Sequence, residues 1–275
     1  MTTFGDRLYQ LGGMPVGIGT EGYGGMGGAL PQETRFVDSN NGSDGNDGMT
    51  MNTAYATIQQ AVDVLNVAVN ITKDCDIHVM GGVYAETVRL IRSHMSSTEL
   101  LWTAGGQNVG YVGKLRVIGH GVVFLNGGTA ATVPTIQIER PNVEFHDFEM
   151  IYMTTEVTVT SGNWTLSNGG SVSGFGMPCV YMGDDYNNDD LLMAAANTVL
   201  FKNCRINGGN VTGGNTIINH GGKHCHLVNC IIEYGATYGA AWIGSSKGAG
   251  SENHIVNCLF SQNGTDIYQQ AQILL

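Results

Sequence analysis

One short pattern recurs three times in the C-terminal third of the chain. The segments TVLFKNCRINGG (198–209), HLVNCIIEYG (226–235) and HIVNCLFSQNG (254–264) each carry alternating apolar residues, an Asn-Cys pair and another apolar residue two positions on. The Asn-Cys pairs are 26 and 28 residues apart. A period of this length marks stacked units, none of which can bury its apolar side alone. Because the units are strand-like, the repeat predicts a solenoid of parallel β-strands.

The alignment of the three segments predicts which side chains face the interior. In the first segment, Val199 and Phe201 point inward, Asn203 forms a corner, and Cys204 and Ile206 point inward on the next strand. Asn suits a corner because it tolerates a positive φ and its amide can hydrogen-bond along the stack. We therefore predict a structural ladder that consists of Asn203, Asn229, Asn257, Cys204, Cys230 and Cys258.

The same inward pattern occurs once more upstream, in residues 143–150. It precedes the next repeat by 56 residues, which corresponds either to two coils or to one coil with a long loop. Residues 153–196 interrupt the repeat, and TTEVTVTSGNWTLSNGGSVSGFG within them alternates apolar and polar residues around an Asn-Gly-Gly turn signal. We predict an insertion over about 153–196 that contains a β-hairpin.

The composition agrees with many short strands and restricts the partners. Gly accounts for 41 of 275 residues and charged residues for 13%, which suits short strands joined by tight turns. The net charge of −11 argues against nucleic acid, because phosphate contacts need a basic surface. No apolar run reaches membrane-spanning length, and the first ten residues lack the pattern of a secretory signal. We expect neither nucleic acid nor a membrane as a partner.

The cysteines are expected to be free thiols. Four of the six fall at predicted inward positions, where they would act as small apolar side chains: Cys204, Cys225, Cys230 and Cys258. Free thiols are typical of a chain that folds in a reducing compartment.

The first 34 residues differ from the rest of the chain. Ten of the first 28 are Gly, and without any period such a segment cannot form its own core, because ordering it costs too much entropy. It is also too apolar for an ordinary solvated linker. We predict that residues 1–34 form an extended anchoring arm and residues 35–275 the β-helix domain; a tail without a partner is the alternative. The apolar residues that would anchor the arm to a particle are Leu8, Tyr9, Leu11, Met14, Val16, Ile18 and Tyr23.

The loop DSNNGSDGNDG (38–48) is rich in oxygen-bearing side chains. Asp38, Asn40, Asp44 and Asn46 are of the types that bind calcium. The spacing lacks the acidic residue that completes an EF-hand, and the same residue types dominate ordinary turns. The pattern favours a turn over a calcium site.

A helical pattern follows this loop. Ile58, Ala61, Val62 and Leu65 share one face of a predicted helix over about 53–66. A helix before the first strands can cover the open end of a solenoid, where the core would otherwise face water.

Three segments in residues 36–90 carry a specific resemblance. FVDSNNGSDGNDG, TAYATIQQAVDVLN and DIHVMGGVYAETVRL resemble the start of right-handed parallel β-helix proteins of the pectin-lyase-like class. The resemblance implies an all-β fold with three-faced coils, an N-terminal capping helix, an Asn ladder at one corner and often a homotrimer. This class includes bacteriophage tailspikes and other virion proteins as well as polysaccharide lyases and hydrolases, so the fold does not assign the chemistry.

Candidates for catalysis are few. A glycosidase needs two carboxylates in a groove, and the strongest candidates lie in an acidic segment that also contains Tyr186: Asp184, Asp185, Asp189 and Asp190. Glu144, Asp147 and Glu149 form a second acidic group. A lyase would need a basic residue beside an acidic stack, and none is expected there among Lys114, Arg116, Arg140, Lys202, Arg205, Lys223 and Lys247.

Histidines and cysteines near residue 225 are of the types that bind zinc. Since adjacent strand residues face opposite sides, His224 and His226 lie outside while Cys225 lies inside, so the set cannot converge and we predict no metal site. His226 and His254 occupy equivalent outward positions in successive repeats and should lie about 4.8 Å apart. Protonating both would place like charges together and weaken stability or assembly.

Two functions from different classes remain. The one we favour is a non-enzymatic bacteriophage virion protein, made in the host cytoplasm and bound to other virion proteins through its arm as a capsid decoration, cement or spike subunit. The alternative is a tailspike-type polysaccharide depolymerase, a glycoside hydrolase or lyase that binds host surface glycan. The chain length allows roughly seven or eight coils at most, which is short for a long sugar groove and favours the first function.

Overall fold

The computed structural model describes most of the chain after residue 31. The described residues are 32–66, 74–90, 113–127, 134–138, 140, 142–151, 157–158, 164–165, 171–172, 179–182, 198–209, 211–212, 216–220, 225–235, 238–242, 253–269 and 273–274. The anchoring residues predicted for the arm and the four aspartates of the acidic segment lie outside the described residues.

The described secondary structure is almost entirely β. One α-helix, α1 (Ile58–Leu65), and a 3₁₀ turn (Met51–Thr53) accompany the strands. The strands are β1 (Gln32–Val37), β2 (Asp74–Ala85), β3 (Val88–Leu90), β4 (Leu115–Asn126), β5 (Ile136–Ile138), β6 (Val143–His146), β7 (Glu149–Ile151), β8 (Val157–Thr158), β9 (Trp164–Thr165), β10 (Ser171–Val172), β11 (Val180–Met182), β12 (Val199–Lys202), β13 (Arg205–Asn207), β14 (Val211–Thr212), β15 (Thr216–His220), β16 (Cys225–Val228), β17 (Ile231–Glu233), β18 (Tyr238–Trp242), β19 (Asn253–Val256), β20 (Leu259–Ser261), β21 (Thr265–Gln269) and β22 (Ile273–Leu274).

These strands wind into a parallel β-helix with three faces, and the predicted fold class is confirmed. Face A contains β1, the first halves of β2 and β4, and then β6, β12, β16, β19 and β22. Face B contains the second halves of β2 and β4, followed by β7, β13, β17 and β20. Face C is the 6-stranded sheet of β3, β5, β11, β15, β18 and β21, to which each coil contributes one strand, so the described residues form six coils.

The long connection between β6 and β12 belongs to a single coil. β6 pairs directly with β12, with Val143 opposite Val199, which settles the 56-residue spacing as one coil with a long loop. The predicted insertion range is not wholly outside the solenoid, because β11 lies within it and pairs with β5 and β15 of face C. The range also contains the antiparallel pair β9–β10, which is the short hairpin that the sequence predicts.

The interior is a column of equivalent side chains from successive coils. Val143, Phe145, Val199 and Phe201 are all fully buried, and the rings of Phe145 and Phe201 stack with centroids 5.4 Å apart. Because parallel pairing in register places identical positions above one another, apolar residues at one strand position cover those of the next coil. Burying a side chain of this size is worth about 1.5–3 kcal/mol.

The corner between faces A and B carries an amide ladder. Asn203, Asn229 and Asn257 adopt φ values of 54°, 54° and 51°, a region that Asn tolerates better than most residues. The Asn203 amide donates to Asp147 Oδ1 at 2.9 Å. Asn229 donates to Asn203 at 3.1 Å and Asn257 donates to Asn229 at 3.0 Å. Each amide therefore donates to the coil before it, and Asp147 is the acceptor at the N-terminal end of the ladder.

The thiols beside this ladder line the inside of the same corner. All six cysteines are free; five are buried and Cys258 is half-buried. The Cys204 thiol lies 3.3 Å from the Lys202 carbonyl, and Cys230 and Cys258 make the same contact with the carbonyls two residues before them, at 3.4 and 3.3 Å. The neighbouring Cys204 thiol raises the pKa of Cys230 to about 12, which keeps this thiol protonated.

Helix α1 covers the N-terminal end of the solenoid. Its buried residues are Ile58, Ala61, Val62 and Leu65, which are the four predicted from their spacing. The helix begins later than predicted, at Ile58, because Thr57 is its extended N-cap and Tyr55 forms a β-bridge with Val37. It packs against β1, β2 and β3, so it covers the apolar residues of the first coil.

Side chains from two other segments hold the start of this helix. The Glu86 carboxylate accepts hydrogen bonds from the Ile58 and Gln59 amides, both at 2.9 Å. The Thr57 side chain caps the helix by accepting from the Gln60 amide. Asp44 accepts from the Ala56 and Thr57 amides at 2.9 Å and from the Thr57 hydroxyl at 3.0 Å. The loop 38–48 and the turn after β2 therefore position the cap on the solenoid.

Substitution of the central ladder residue should separate backbone strain from the amide contacts. Asn229→Gly retains easy access to positive φ and loses only the two amide hydrogen bonds, which costs roughly 1–2 kcal/mol. Asn229→Ala loses the same contacts and adds about 1–2 kcal/mol of left-handed strain. Urea unfolding followed by circular dichroism measures both changes. An alanine variant at least as stable as the glycine variant would contradict this account of the corner.

Candidate functional site

The calcium ligands considered in the loop 38–48 form hydrogen bonds within the turn, to the helix cap and to neighbouring backbone groups. Asp38 accepts from the amides of Asn40 and Asn41, and the Asn41 side chain lowers the pKa of this carboxyl. Asp44 is used by the helix cap, and the Asn46 side chain donates to the Ala54 carbonyl at 2.9 Å. These groups point to different backbone partners. Within the described residues, no three His, Cys, Asp or Glu side chains converge as a metal site would require.

Face A carries a line of charged side chains across the first three coils, which we call the ionic row. Its members occupy consecutive register positions: Asp76 lies opposite Arg116, and Arg116 opposite Glu144. The Arg116 guanidinium donates two hydrogen bonds to the Asp76 carboxylate, with nitrogen–oxygen distances of 2.6 and 3.0 Å. Asp76 is 5% exposed, so the bidentate pair compensates a carboxylate that water barely reaches.

The third coil extends the ionic row through Glu144. Its two oxygens contact the Lys114 ammonium at 2.8 Å and His146 Nε2 at 3.0 Å. The hydrogen bond from His146, followed by that from Lys114, lowers the pKa of Glu144 from 4.5 to about 2. Glu144 is therefore held as an anion by two cationic or donating neighbours.

Face B carries a second charged cluster in the third to fifth coils. Arg205 lies opposite Glu149 in register and contacts its carboxylate at 3.3 Å. The same guanidinium reaches Glu233 at 2.5 Å, and Glu233 also accepts from the Asn207 side chain at 3.2 Å. Glu233 is 8% exposed, so Arg205 bridges an exposed and a buried carboxylate.

These two clusters correct the prediction that no basic residue lies beside an acidic stack. Lys114, Arg116 and Arg205 all do. The first two could not be aligned from the sequence because β4 is a continuous bent strand without an Asn-Cys pair to mark its corner. The Arg205–Glu149 pair could have been found, since the aligned Ile206 and Met150 each follow one of its members.

The acidic group Glu144, Asp147 and Glu149 does not form one site. Glu144 belongs to face A, Asp147 to the corner ladder and Glu149 to face B. Each carboxylate is directed to a different partner, so the structure brings none of them together as a catalytic pair.

Two histidine pairs lie on face A, and only one follows from the repeat. His78 Nδ1 lies 2.8 Å from His120 Nε2, and the Phe36 ring stacks on His78 at 5.4 Å. Burial, and then the charge of His120, lowers the pKa of His78 below its usual 6.5. The sequence analysis missed this pair because its partners occupy different positions in their coils. His226 and His254 stack with ring centroids 4.8 Å apart and 1° between planes, which confirms their predicted proximity.

Every carboxylate whose side chain the structure describes has a donor within the protein. The ionic row and the face B cluster account for four of them. Glu33 contacts Arg35 and Asp74 accepts from the Lys114 amide. The remainder serve the loop 38–48, helix α1 and the amide ladder. The described surface can therefore present charge and imidazole groups to a partner.

Comparison with known proteins identifies the fold and no family. No protein-family model and no curated protein matches the sequence. A rhamnogalacturonan lyase structure superimposes with a TM-score of 0.53 and 15% sequence identity, covering 88% of this chain and 56% of the lyase. The chain thus spans little more than half the length of that protein. A lacto-N-biosidase from Eubacterium ramulus gives a TM-score of 0.31 at 12% identity, covering 84% of this chain and 34% of the enzyme.

The likeness to the rhamnogalacturonan lyase supports a parallel β-helix fold. At 15% identity it carries no chemistry to this chain. In the part of the chain that is described, no helix is long and apolar enough to cross a membrane.

Lowering the pH should destabilise the protein in two separate windows. The unfolded chain binds a proton at His78 more tightly than the folded chain, so stability falls as the pH drops below 6.5. Glu144 prefers to be ionised in the fold, so its contribution is present above pH 4.5 and is lost as the pH falls toward 2. Urea unfolding at a series of pH values measures both effects.

Matched variants assign each window. In His78→Gln, the loss of unfolding free energy below pH 6.5 should shrink by less than about 1 kcal/mol, because solvent screens a half-exposed ring. The loss between pH 4.5 and 2 should not change. In Glu144→Gln, the loss of unfolding free energy between pH 4.5 and 2 should shrink by about 1–2 kcal/mol after the same screening. The loss below pH 6.5 that His78 causes should not change. Unchanged profiles in both variants would show that these groups do not control the pH dependence.

Proposed function

We propose that the protein is a non-enzymatic structural subunit of a bacteriophage particle, a capsid decoration, cement or spike protein attached through its N-terminal arm. The observation that carries this proposal is the use of the described carboxylates in structural contacts. Asp76, Glu144 and Glu233 are neutralised by arginine, lysine or histidine, and Glu86 and Asp44 hold helix α1. A stiff solenoid whose polar groups stabilise the fold suits a structural role better than catalysis.

The arm supplies the means of attachment in this proposal. Residues 1–34 combine a glycine-rich backbone with apolar anchors such as Leu8, Leu11 and Val16, a composition suited to lying extended in a groove of another virion protein. A specific attachment of this kind buries upwards of about 1,000 Å². The free thiols of the solenoid agree with folding in the host cytoplasm before assembly.

Removal of the arm tests the attachment. A chain lacking residues 1–30 should keep the circular dichroism and thermal transition of the full chain and fail to co-sediment with purified phage particles. In the full-length chain, Leu11→Asp should weaken co-sedimentation by at least about tenfold, because a buried charge replaces an apolar anchor. Thr3→Asp is the matched control, since it adds the same charge within the arm without removing an apolar side chain. Undiminished binding by Leu11→Asp and by the truncated chain would refute attachment through the arm.

The alternative function is a tailspike-type polysaccharide depolymerase that binds host surface glycan. One observation favours it: the acidic segment begins directly after β11, which is held between β5 and β15 of face C. Catalytic residues commonly lie in loops that a rigid scaffold positions, and Asp184 follows Met182, the last residue of β11, by two positions.

Activity assays decide between the two functions. The proposed structural role predicts no release of oligosaccharides from host capsule or lipopolysaccharide by the purified protein. A depolymerase would release them, and Asp185→Asn or Asp189→Asn would reduce the rate by roughly 10²–10⁴-fold through loss of acid–base catalysis. Asp63→Asn is the control, because Asp63 is an exposed aspartate of helix α1 whose described partner is Gln59. Cleavage that depends on Asp185 or Asp189 would replace the structural proposal with the enzymatic one.

A further inference from the structure

The contact between His78 and His120 joins the first two coils on the outside of the solenoid. His78 lies on β2 and His120 on β4, and these strands pair in parallel. His78 Nδ1 and His120 Nε2 are 2.8 Å apart. The His120 side chain is exposed and that of His78 is half-buried. A solute in water can therefore approach the two nitrogens from the His120 side.

The distance between these nitrogens is close to the one that a shared metal ion requires. Two imidazole nitrogens that bind one ion at about 2.0–2.1 Å lie roughly 2.9–3.4 Å apart, for angles of about 90–110° at the metal. The observed 2.8 Å lies just below this range. The two rings are tilted by 36° with centroids 5.0 Å apart. A small rotation of each ring can therefore direct both lone pairs to one point.

The stacked pair His226 and His254 has a different geometry. Its rings are parallel to within 1° and their centroids are 4.8 Å apart. In parallel stacked rings, equivalent lone pairs point in the same direction and do not converge. This pair provides an internal comparison, because it has the same residue types on the same face without the chelating arrangement.

The backbone and an aromatic ring hold the first pair in place. Register passes from Met80 opposite His120 to Gly82 opposite Val123, so β4 contains one residue more than β2 at this point. This β-bulge directly follows His120 and uses Gly121 at a φ of 84°. Bulges commonly re-aim a side chain beside a functional site. On the other strand, the Phe36 ring stacks on His78 at 5.4 Å.

The protonation of the pair agrees with metal binding. Burial, and then the charge of His120, lowers the pKa of His78 below 6.5, so its ring is neutral at pH 7. A neutral imidazole binds a metal through one nitrogen and keeps its proton on the other. In the hydrogen-bonded pair, one of the two contacting nitrogens carries the proton. Metal binding requires that ring to change tautomer, and no proton is released.

Met80 supplies a third donor of a different type. It lies opposite His120 in register. His78 and Met80 flank the buried Val79, so they share the outer side of β2. Thioether sulfur favours copper, and imidazole binds both copper and zinc. His146 is not part of this set, because Ile118 lies between it and His78 in register.

We propose that His78 and His120 bind one divalent transition-metal ion, copper in preference to zinc, with the Met80 thioether as the third donor. Water completes the coordination on the exposed side. The ion would connect β2 to β4 and so stabilise the first two coils. This site is separate from the arm and from the acidic segment, so it goes beyond both functions considered above.

Isothermal titration calorimetry of the full chain with Zn²⁺ tests the two imidazoles. We expect one ion per chain. His78→Gln and His120→Gln should each weaken binding by at least about tenfold, since each removes one of two strong ligands. His226→Gln is the matched control, because it removes a histidine of the parallel pair, and it should keep the affinity of the unmodified chain. Zn²⁺ should also raise the thermal midpoint of the unmodified chain and of His226→Gln, but not that of His120→Gln.

Cu²⁺ reports the identity of the ligands. Electron paramagnetic resonance of the full chain with one equivalent of Cu²⁺ should show hyperfine coupling to two imidazole nitrogens, and to one in His120→Gln. Met80→Leu should weaken Cu²⁺ binding at least about threefold and leave Zn²⁺ binding unchanged, because zinc gains little from a thioether. Cys258→Ala should bind both ions as the unmodified chain does, which excludes the half-buried thiol as a ligand.

Three results would overturn the proposal. The full chain could fail to bind Zn²⁺ and Cu²⁺, so that His78 and His120 are a hydrogen-bonded pair only. His226→Gln could lose the ion while His120→Gln retains it, which would place binding elsewhere. An unchanged Cu²⁺ affinity in Met80→Leu would remove the thioether from the site. A chain lacking residues 1–30 should still bind the ion, so failure of attachment through the arm and failure of metal binding are distinguishable.

Discussion

The structure depends on the in-register parallel pairing of each coil with the next. Because strands such as β6, β12 and β16 align position for position, every inward residue is covered by its equivalent above and below. The same register stacks the outward residues, so each outward side chain lies beside the residue at the same position of the next coil. Interior packing, the amide ladder and the surface charge pattern are all consequences of this one constraint.

A solenoid built in this way has two ends that its own repeat cannot satisfy. At the N-terminal end, helix α1 supplies the missing apolar layer, and Glu86 and Asp44 bind its free amides. At the C-terminal end, Ile255, Cys258 and Phe260 are only partly buried. Val256 and Leu259 on the same coil are more than half exposed, so the last coil has the least protected apolar residues among the described coils of the repeat.

The polar groups of the described surface are arranged to stabilise the solenoid. Asp76 and Glu233 are nearly buried and would be costly without Arg116 and Arg205. The fold shared with a rhamnogalacturonan lyase, at 15% sequence identity, does not by itself imply that enzyme's chemistry. The arm and the acidic segment remain the two regions whose chemistry decides between attachment and catalysis.

The sequence by itself determined the repeat, and through it the fold, the inward residues, the corner asparagines and the stacking of His226 on His254. These are periodic features, and a period can be read without coordinates. Tertiary structure decided what is not periodic: the Arg116–Asp76 pair, the contact of His78 with His120, and the use of Glu86 to cap helix α1. In these cases the partners lie 28 to 42 residues apart, at positions that no repeated motif marks. Only the register of β2 with β4 and the docking of the helix bring them together.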